Sequence, residues 1–249
     1  RVGADSIGPR AWCAMLGLAP ESGAGSLVWQ AATRAETLPA MADWVAAADA
    51  AETARRAAGN HLALAASWGV FDADGVAPTR LCDGGVTVLA LDGVDRAPAN
   101  AVLAAVANGL YDARVAEEVG RLPWLVVDEA HAFVDGVAES ALRRLLTRGR
   151  QPGVSCVLAT QRPSALPAVA VSQADLLVAH RLTSERDVAA LTDARPTYLA
   201  GTLENRLPTA TGEALVVDDV TESTHHVQVR ERRTPHGGES PRASAFDGA

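Results

Sequence analysis

The chain has 249 residues, 48% of them apolar, and a formal net charge of −8. This length and apolar content suffice for one large domain or two small ones, so a disordered or fibrous protein is excluded. All 22 basic residues are arginine, because the sequence contains no lysine. The phosphate-binding pattern GxxxxGK[ST] is therefore absent, and the nearest glycine-rich run, ESGAGS at 21–26, has neither its spacing nor its cation.

An acidic, alanine-rich chain without lysine fits two explanations. One is adaptation to a salt-rich cytoplasm, in which carboxylates keep proteins hydrated, and the other is a GC-biased genome. No apolar run approaches the roughly 18 residues that span a bilayer, and no signal peptide opens the chain. We therefore expect a cytoplasmic protein without a membrane partner. Its start at Arg1 is expected if an N-terminal part lies upstream, or after processing.

The first third of the chain is predicted to be helical. Apolar residues between 9 and 71 recur closer to the helical period than to strict alternation, which indicates about four helices. We take residues 1–85 as this helical block. Pro78 and the Asp83-Gly84-Gly85 cluster then mark a turn before a short buried strand at 86–93.

Beyond residue 86 the pattern alternates between strands and helices. Continuous apolar runs predict strands at 124–130, 155–161 and 176–180, with helices at 99–120, 139–148 and 184–191. Such alternation is typical of an α/β fold with a mostly parallel sheet covered on both faces. GEALVVDDV and THHVQVRER predict a terminal β-hairpin, so the core extends over 86–233 and a flexible tail over 234–249.

Polar side chains with hydrolytic chemistry follow two of these strands. Asp128 and Glu129 end the first, where one carboxylate could hold Mg²⁺ through water and its neighbour could activate an attacking water. Gln161 ends the next, at the edge where open α/β sheets bind ligands, and could bond a γ-phosphate or that water. Acidic and amide groups that merely face solvent are the plain alternative.

Arginines are concentrated in the same region. Residues 141–186 contain seven arginines against Asp175 and Glu185, a local net charge of +5 in an acidic chain. Arg162 either joins Gln161 at a bound nucleotide or faces solvent. His131, two residues after Glu129, is as compatible with packing as with catalysis.

Several motifs in order resemble the C-terminal half of HerA/FtsK-type P-loop ATPases, most of all the HerA branch. They are DEAH, RGRQPGVSCVLATQRPSAL, SQADLLVAHRLTSERDVAAL and GEALVVDD, within about residues 86–236. The resemblance implies a RecA-like core, ATP and Mg²⁺ as cofactors, and a homohexameric ring that moves double-stranded DNA, with a nuclease as possible partner. It implies that Asp128 holds Mg²⁺, Glu129 is catalytic and Gln161 is the sensor. In such rings a neighbouring subunit supplies an arginine, for which Arg148 and Arg150 are the candidates.

Other classes remain open at this stage. A two-lobed DEAH helicase would need a second lobe, and only about 70 residues follow Thr183. A non-catalytic assembly module explains the missing phosphate loop but gives Asp128, Glu129 and Gln161 no purpose. An ATPase of conjugation or secretion would use the same residues.

Overall fold

The computed structural model describes residues 1–193 and 206–234. It divides into two compact units, Arg1–Ala174 and Asp175–Ala249. This division differs from the predicted boundaries at 85/86 and 233/234, which stay predictions. Apart from residue 234, the predicted tail lies outside the described residues.

The helical block has the four helices that its apolar spacing predicts. They are α1 (Pro9–Met15), α2 (Gly23–Arg34), α3 (Leu38–Ala47) and α4 (Glu52–Ser67). Ser22 and Thr37 cap α2 and α3, because each side-chain oxygen accepts a backbone N–H from the first turn. The largest fully buried side chains of the shared core include Trp12, Ile7, Met41 and Leu62.

Helix α5 (Arg96–Val115) runs through the centre of the first unit. Every residue from Pro98 to Ala107 is buried. Apart from Asn100 this stretch is apolar on all sides, as expected of a helix within a core, and its alanines let neighbouring elements approach closely. It ends earlier than the predicted residue 120, because Glu117 adopts a left-handed backbone conformation with φ of 57°.

A βαβ unit completes the first unit. Strand β1 (Trp124–Val127) leads through helix α6 (Ala138–Arg148) to strand β2 (Ser155–Leu158), and the two strands pair in parallel with Trp124 opposite Ser155. Leu125 and Val127 face the core, whereas Trp124 on the other face is 69% exposed. A short helix α7 (Ala168–Ser172) follows.

The second unit is built around an antiparallel sheet. Strand β3 (Leu176–Ala179) pairs with β4 (Glu213–Asp218), which pairs with β5 (Ser223–Gln228), and helix α8 (Glu185–Asp193) follows β3 in the chain. The predicted terminal hairpin is therefore confirmed. No helix among the described residues is long and apolar enough to cross a bilayer.

Two predictions about strands are wrong. The sheet is not mostly parallel: among the described strands only β1 and β2 are parallel, and β3 instead joins the terminal hairpin in antiparallel order. Residues 86–91 form no strand, and Val86 and Val88 are 93% and 82% exposed. Apolar runs report strand propensity but do not identify a partner, and a strand exists only where a neighbour receives its hydrogen bonds.

Candidate active site

The ends of β1 and β2 are tied together just beyond the last paired residues. The N–H of Ala159 donates to the carbonyl of Val127, and the N–H of Ala130 donates to the carbonyl of Ala159, both at 2.9 Å. Between these two bonds Glu129 adopts φ 47° and ψ 44°, the left-handed region. For a residue other than glycine this conformation costs about 1–3 kcal/mol, and it persists because the flanking backbone is fixed.

The carboxylate of Glu129 meets the amide of Gln161. Nε2 of Gln161 donates to Oε1 of Glu129 at 2.7 Å. The two residues are distant in sequence, but the strands before them are parallel, so both leave the same edge of the sheet. The structure thus brings together two residues predicted to act together.

The second oxygen of Glu129 faces a histidine. Oε2 is buried and has no hydrogen bond of good geometry, but it lies 3.2 Å from Nδ1 of His131. The same Nδ1 lies 3.1 Å from Oγ1 of Thr160, which also accepts the N–H of Arg162 at 3.0 Å. We call Asp128, Glu129, His131, Thr160 and Gln161 the strand-end cluster.

Thr160 is a member of the cluster that the motifs do not indicate. The one sequence signal for it is its position beside Gln161, because neighbours on one turn can reach the same groups. His131 was singled out as the last letter of DEAH, without a preference between packing and chemistry. The structure places it against the Glu129 carboxylate with a half-buried side chain.

Asp128 lies at the exposed side of the cluster. Its Oδ1 accepts the N–H of Glu129 at 3.0 Å, and its carboxylate faces solvent. The described residues contain no group of three or more histidine, cysteine or acidic side chains suited to hold a metal ion. A single accessible carboxylate fits Mg²⁺, which keeps several waters and binds through one or two carboxylates together with substrate phosphates.

Two of the candidate arginines lie at the opposite edge of the parallel pair. Arg148 is the last residue of α6, and Arg150 lies in the turn that enters β2, whereas Gln161 follows the end of β2. The four residues of β2 alone span about 13 Å. This topology does not bring Arg148 or Arg150 to the strand-end cluster of their own chain.

Other arginines of this basic region have structural partners. Arg143 pairs with Glu139 on α6, and Arg144 pairs with Asp112 on α5 while its guanidinium lies 3.9 Å from the ring centre of Tyr111. These two cations are therefore partly neutralised, Arg143 within α6 and Arg144 by the neighbouring α5. Arg162 is exposed beside Gln161, with its backbone N–H on Thr160.

Two further features of the first unit can be assigned a structural role. The glycine-rich run at 21–26 begins α2, and Oγ of Ser22 accepts the N–H of Gly25 at 3.0 Å, so this turn satisfies itself. Burial raises the pKa of the Cys156 thiol, on β2, to about 11. A thiol with a raised pKa is a weaker nucleophile, so Cys156 is assigned a packing role on β2.

Comparison with known proteins gives distant structural similarities. No protein family model matches the chain, and no curated protein does. The genome packaging NTPase B204 from Sulfolobus turreted icosahedral virus 2 in complex with ATP-gammaS is 17% identical, with a TM-score of 0.41 over 52% of this chain. The chain spans 60% of the length of that structure.

The same viral protein in complex with sulfate is 16% identical, with a TM-score of 0.43 over 64% of this chain and 80% of that one. The DNA-packaging ATPase B204 from Sulfolobus Turreted Icosahedral Virus gives a TM-score of 0.40 at 19% identity. These similarities are too distant to carry an argument about function. A functional assignment therefore depends on the residues of this chain.

Proposed function

We propose that the strand-end cluster is the hydrolytic part of an ATP site. The observation that carries this proposal is the 2.7 Å hydrogen bond between Gln161 and Glu129 at the shared carboxyl edge of two parallel strands. A carboxylate and an amide at this edge are the groups that orient and activate a water for attack on a γ-phosphate.

The proposal assigns each residue of the strand-end cluster a role. Glu129 accepts the proton of the attacking water, and Gln161 donates its amide either to Glu129 or to the γ-phosphate. Asp128, exposed next to Glu129, would hold Mg²⁺ through water. When bound, Mg²⁺ offsets the negative charge of the phosphate oxygens. Arg162, the exposed cation next to Gln161 in the sequence, adds positive charge beside the phosphate oxygens.

We further propose that the complete protein is a DNA translocase or helicase of the HerA type. The support is the ordered set of motifs that resembles that family. It implies a RecA-like core over residues 86–233, a homohexamer in the cytoplasm without a membrane partner, and a nuclease as a possible partner. The position of Arg148 and Arg150 at the far edge of β2 suits a role toward a neighbouring subunit better than a role at their own site.

Two measurements test this function. Reading the coding DNA upstream of Arg1 for an in-frame GxxxxGK[ST] decides whether a phosphate loop accompanies the strand-end cluster. ATP hydrolysis by the complete gene product is then measured with and without linear double-stranded DNA. The proposal predicts hydrolysis that DNA stimulates. Hydrolysis without any response to DNA favours an ATPase of secretion, whereas stimulation by DNA leaves a conjugative ATPase in competition.

A non-catalytic assembly module is the second candidate. The observation that favours it is the absence of lysine from all 249 residues, together with the self-capped glycine-rich turn at Ser22. It predicts that the complete gene product neither binds nor hydrolyses ATP. Equilibrium binding of a fluorescent ATP analogue distinguishes the two, because a hydrolytic site requires binding and an inert module does not.

A further inference from the structure

Glu129 is engaged through both carboxylate oxygens, and the two contacts differ in kind. Oε1 accepts a hydrogen bond from Gln161, whose side chain is exposed. Oε2 is buried against His131, whose side chain is only 24% exposed. Gln161 can therefore turn toward a bound nucleotide, whereas His131 is fixed by its surroundings.

The proton on His131 can be placed from its neighbours. A bare lone pair on Nδ1 would lie 3.2 Å from the carboxylate oxygen Oε2, and two electron-rich atoms at that distance repel. A proton on Nδ1 makes the contact attractive and also suits Oγ1 of Thr160 at 3.1 Å. The Nδ1–H tautomer is therefore the one that makes both contacts of Nδ1 attractive.

We propose that His131 is a positioning residue for Glu129. Its Nδ1–H, oriented by Thr160, attracts Oε2 at 3.2 Å without a well-aligned hydrogen bond and so keeps the carboxylate in place while Gln161 leaves Oε1 to contact the nucleotide. This inference rests on the proposed function of the strand-end cluster. Without His131 the carboxylate would regain rotamer freedom, and the loss would fall on kcat, because ATP itself does not depend on His131 for binding.

The first test is steady-state ATP hydrolysis by the complete gene product with two substitutions. His131→Ala is expected to lower kcat about 10- to 100-fold, with little change in KM for ATP. His131→Asn is expected to recover most of the lost kcat, because the asparagine amide nitrogen replaces Nδ1 as a donor at the same distance along the side chain. An unchanged kcat in His131→Ala, or an equal loss in both variants, would overturn the inference.

The second test reads the tautomer directly. The chain has six histidines, and ¹⁵N-histidine NMR of the wild-type protein, with His131→Asn to identify the signal, reports which ring nitrogen carries the proton. Protonation at Nδ1 is expected, and protonation at Nε2 alone would overturn the inference. If the wild-type protein hydrolyses no ATP, the proposed function itself fails. If it does hydrolyse ATP but His131→Ala is normal, only the role of His131 fails.

Discussion

In the helical block, polar side chains form hydrogen bonds with backbone groups. Nε1 of the fully buried Trp12 donates to the carbonyl of Ala4 at 3.1 Å, and Ser22 and Thr37 cap their helices. In the strand-end cluster, by contrast, Glu129 has a strained backbone and a buried carboxylate oxygen without a well-aligned hydrogen bond.

The two regions therefore differ in backbone strain and in how well their buried polar atoms are hydrogen-bonded. Capping at α2 and α3 and close packing of the shared core follow the ordinary local rules of helical structure. Ordinary local rules are broken at the end of β1, and departures of this kind are expected where a protein binds or reacts. The following predictions test whether the two regions differ as described.

The largest effect is expected in the helical block. Trp12→Ala removes a fully enclosed ring that also lies 4.8 Å from the ring of Phe71, so the free energy of unfolding should fall by about 3–5 kcal/mol. Denaturant unfolding measures this loss. Trp29→Ala is the matched control, because Trp29 is 38% exposed and its removal should cost clearly less than that of Trp12. Equal losses would show that this core is not packed as described.

Gln161→Ala should separate activity from stability. Loss of the amide removes a donor from Glu129 and from the nucleotide, so ATP turnover should fall about 100-fold, or about 2.7 kcal/mol of activation free energy. Because Gln161 is exposed, the unfolding midpoint should stay close to that of the wild type. Gln151→Ala, in the turn at the other edge of β2, is the control and should leave turnover unchanged. A loss of stability that matches the loss of turnover would assign Gln161 a structural role.

The backbone strain at Glu129 predicts an unusual order of stability. Glycine adopts φ 47° without the penalty that alanine carries, so Glu129→Gly should unfold with a free energy about 1 kcal/mol higher than Glu129→Ala. Both variants lose the same side-chain contacts, so their difference isolates the backbone. Thermal unfolding of the two proteins, side by side, gives the result. If alanine is the more stable, the left-handed conformation is not strained.

The smallest effect concerns pH and the inner face of β2. The pKa of Cys156 is raised by burial from 9.0 to about 11, so the folded state keeps its proton where the unfolded state loses it. The stabilising contribution is fully present below pH 9 and is lost as the pH rises toward 11. At pH 10 the free energy of unfolding should be lower than at pH 8 by about 1 kcal/mol. Unfolding measured at pH 8 and pH 10 should show this drop in the wild type and less of it in Cys156→Val. An identical pH dependence would mean that the thiol is accessible to water.

Much of the fold could be predicted because a helix depends on the spacing of apolar residues and on capping residues within its own segment. The four helices of the block, α5, α6 and the terminal hairpin all follow from apolar spacing and turn residues. The predictions of a mostly parallel sheet and of a strand at 86–93 were wrong, because strand pairing depends on partners that are distant in the sequence. Val86 and Val88 have the composition of a buried strand but are exposed in the absence of a described neighbour.

Part of the site could also be predicted from local sequence patterns. Asp128, Glu129 and Gln161 follow apolar runs, and a parallel pairing of those runs was enough to expect contact. The contact of Glu129 with His131, and the part played by Thr160, depend on a left-handed turn at Glu129. The sequence DEAH does not predict a positive φ at Glu129, because the surrounding backbone imposes that conformation.

The central claim is that Glu129 activates water at an ATP site, and one substitution tests it most directly. Glu129→Gln keeps the size of the side chain but removes the base, so the complete gene product should bind ATP as the wild type does and lose turnover by about 100-fold or more. Glu117→Gln is the matched control, since Glu117 also has a positive φ but lies at the end of α5. Normal ATP turnover in Glu129→Gln would contradict the account.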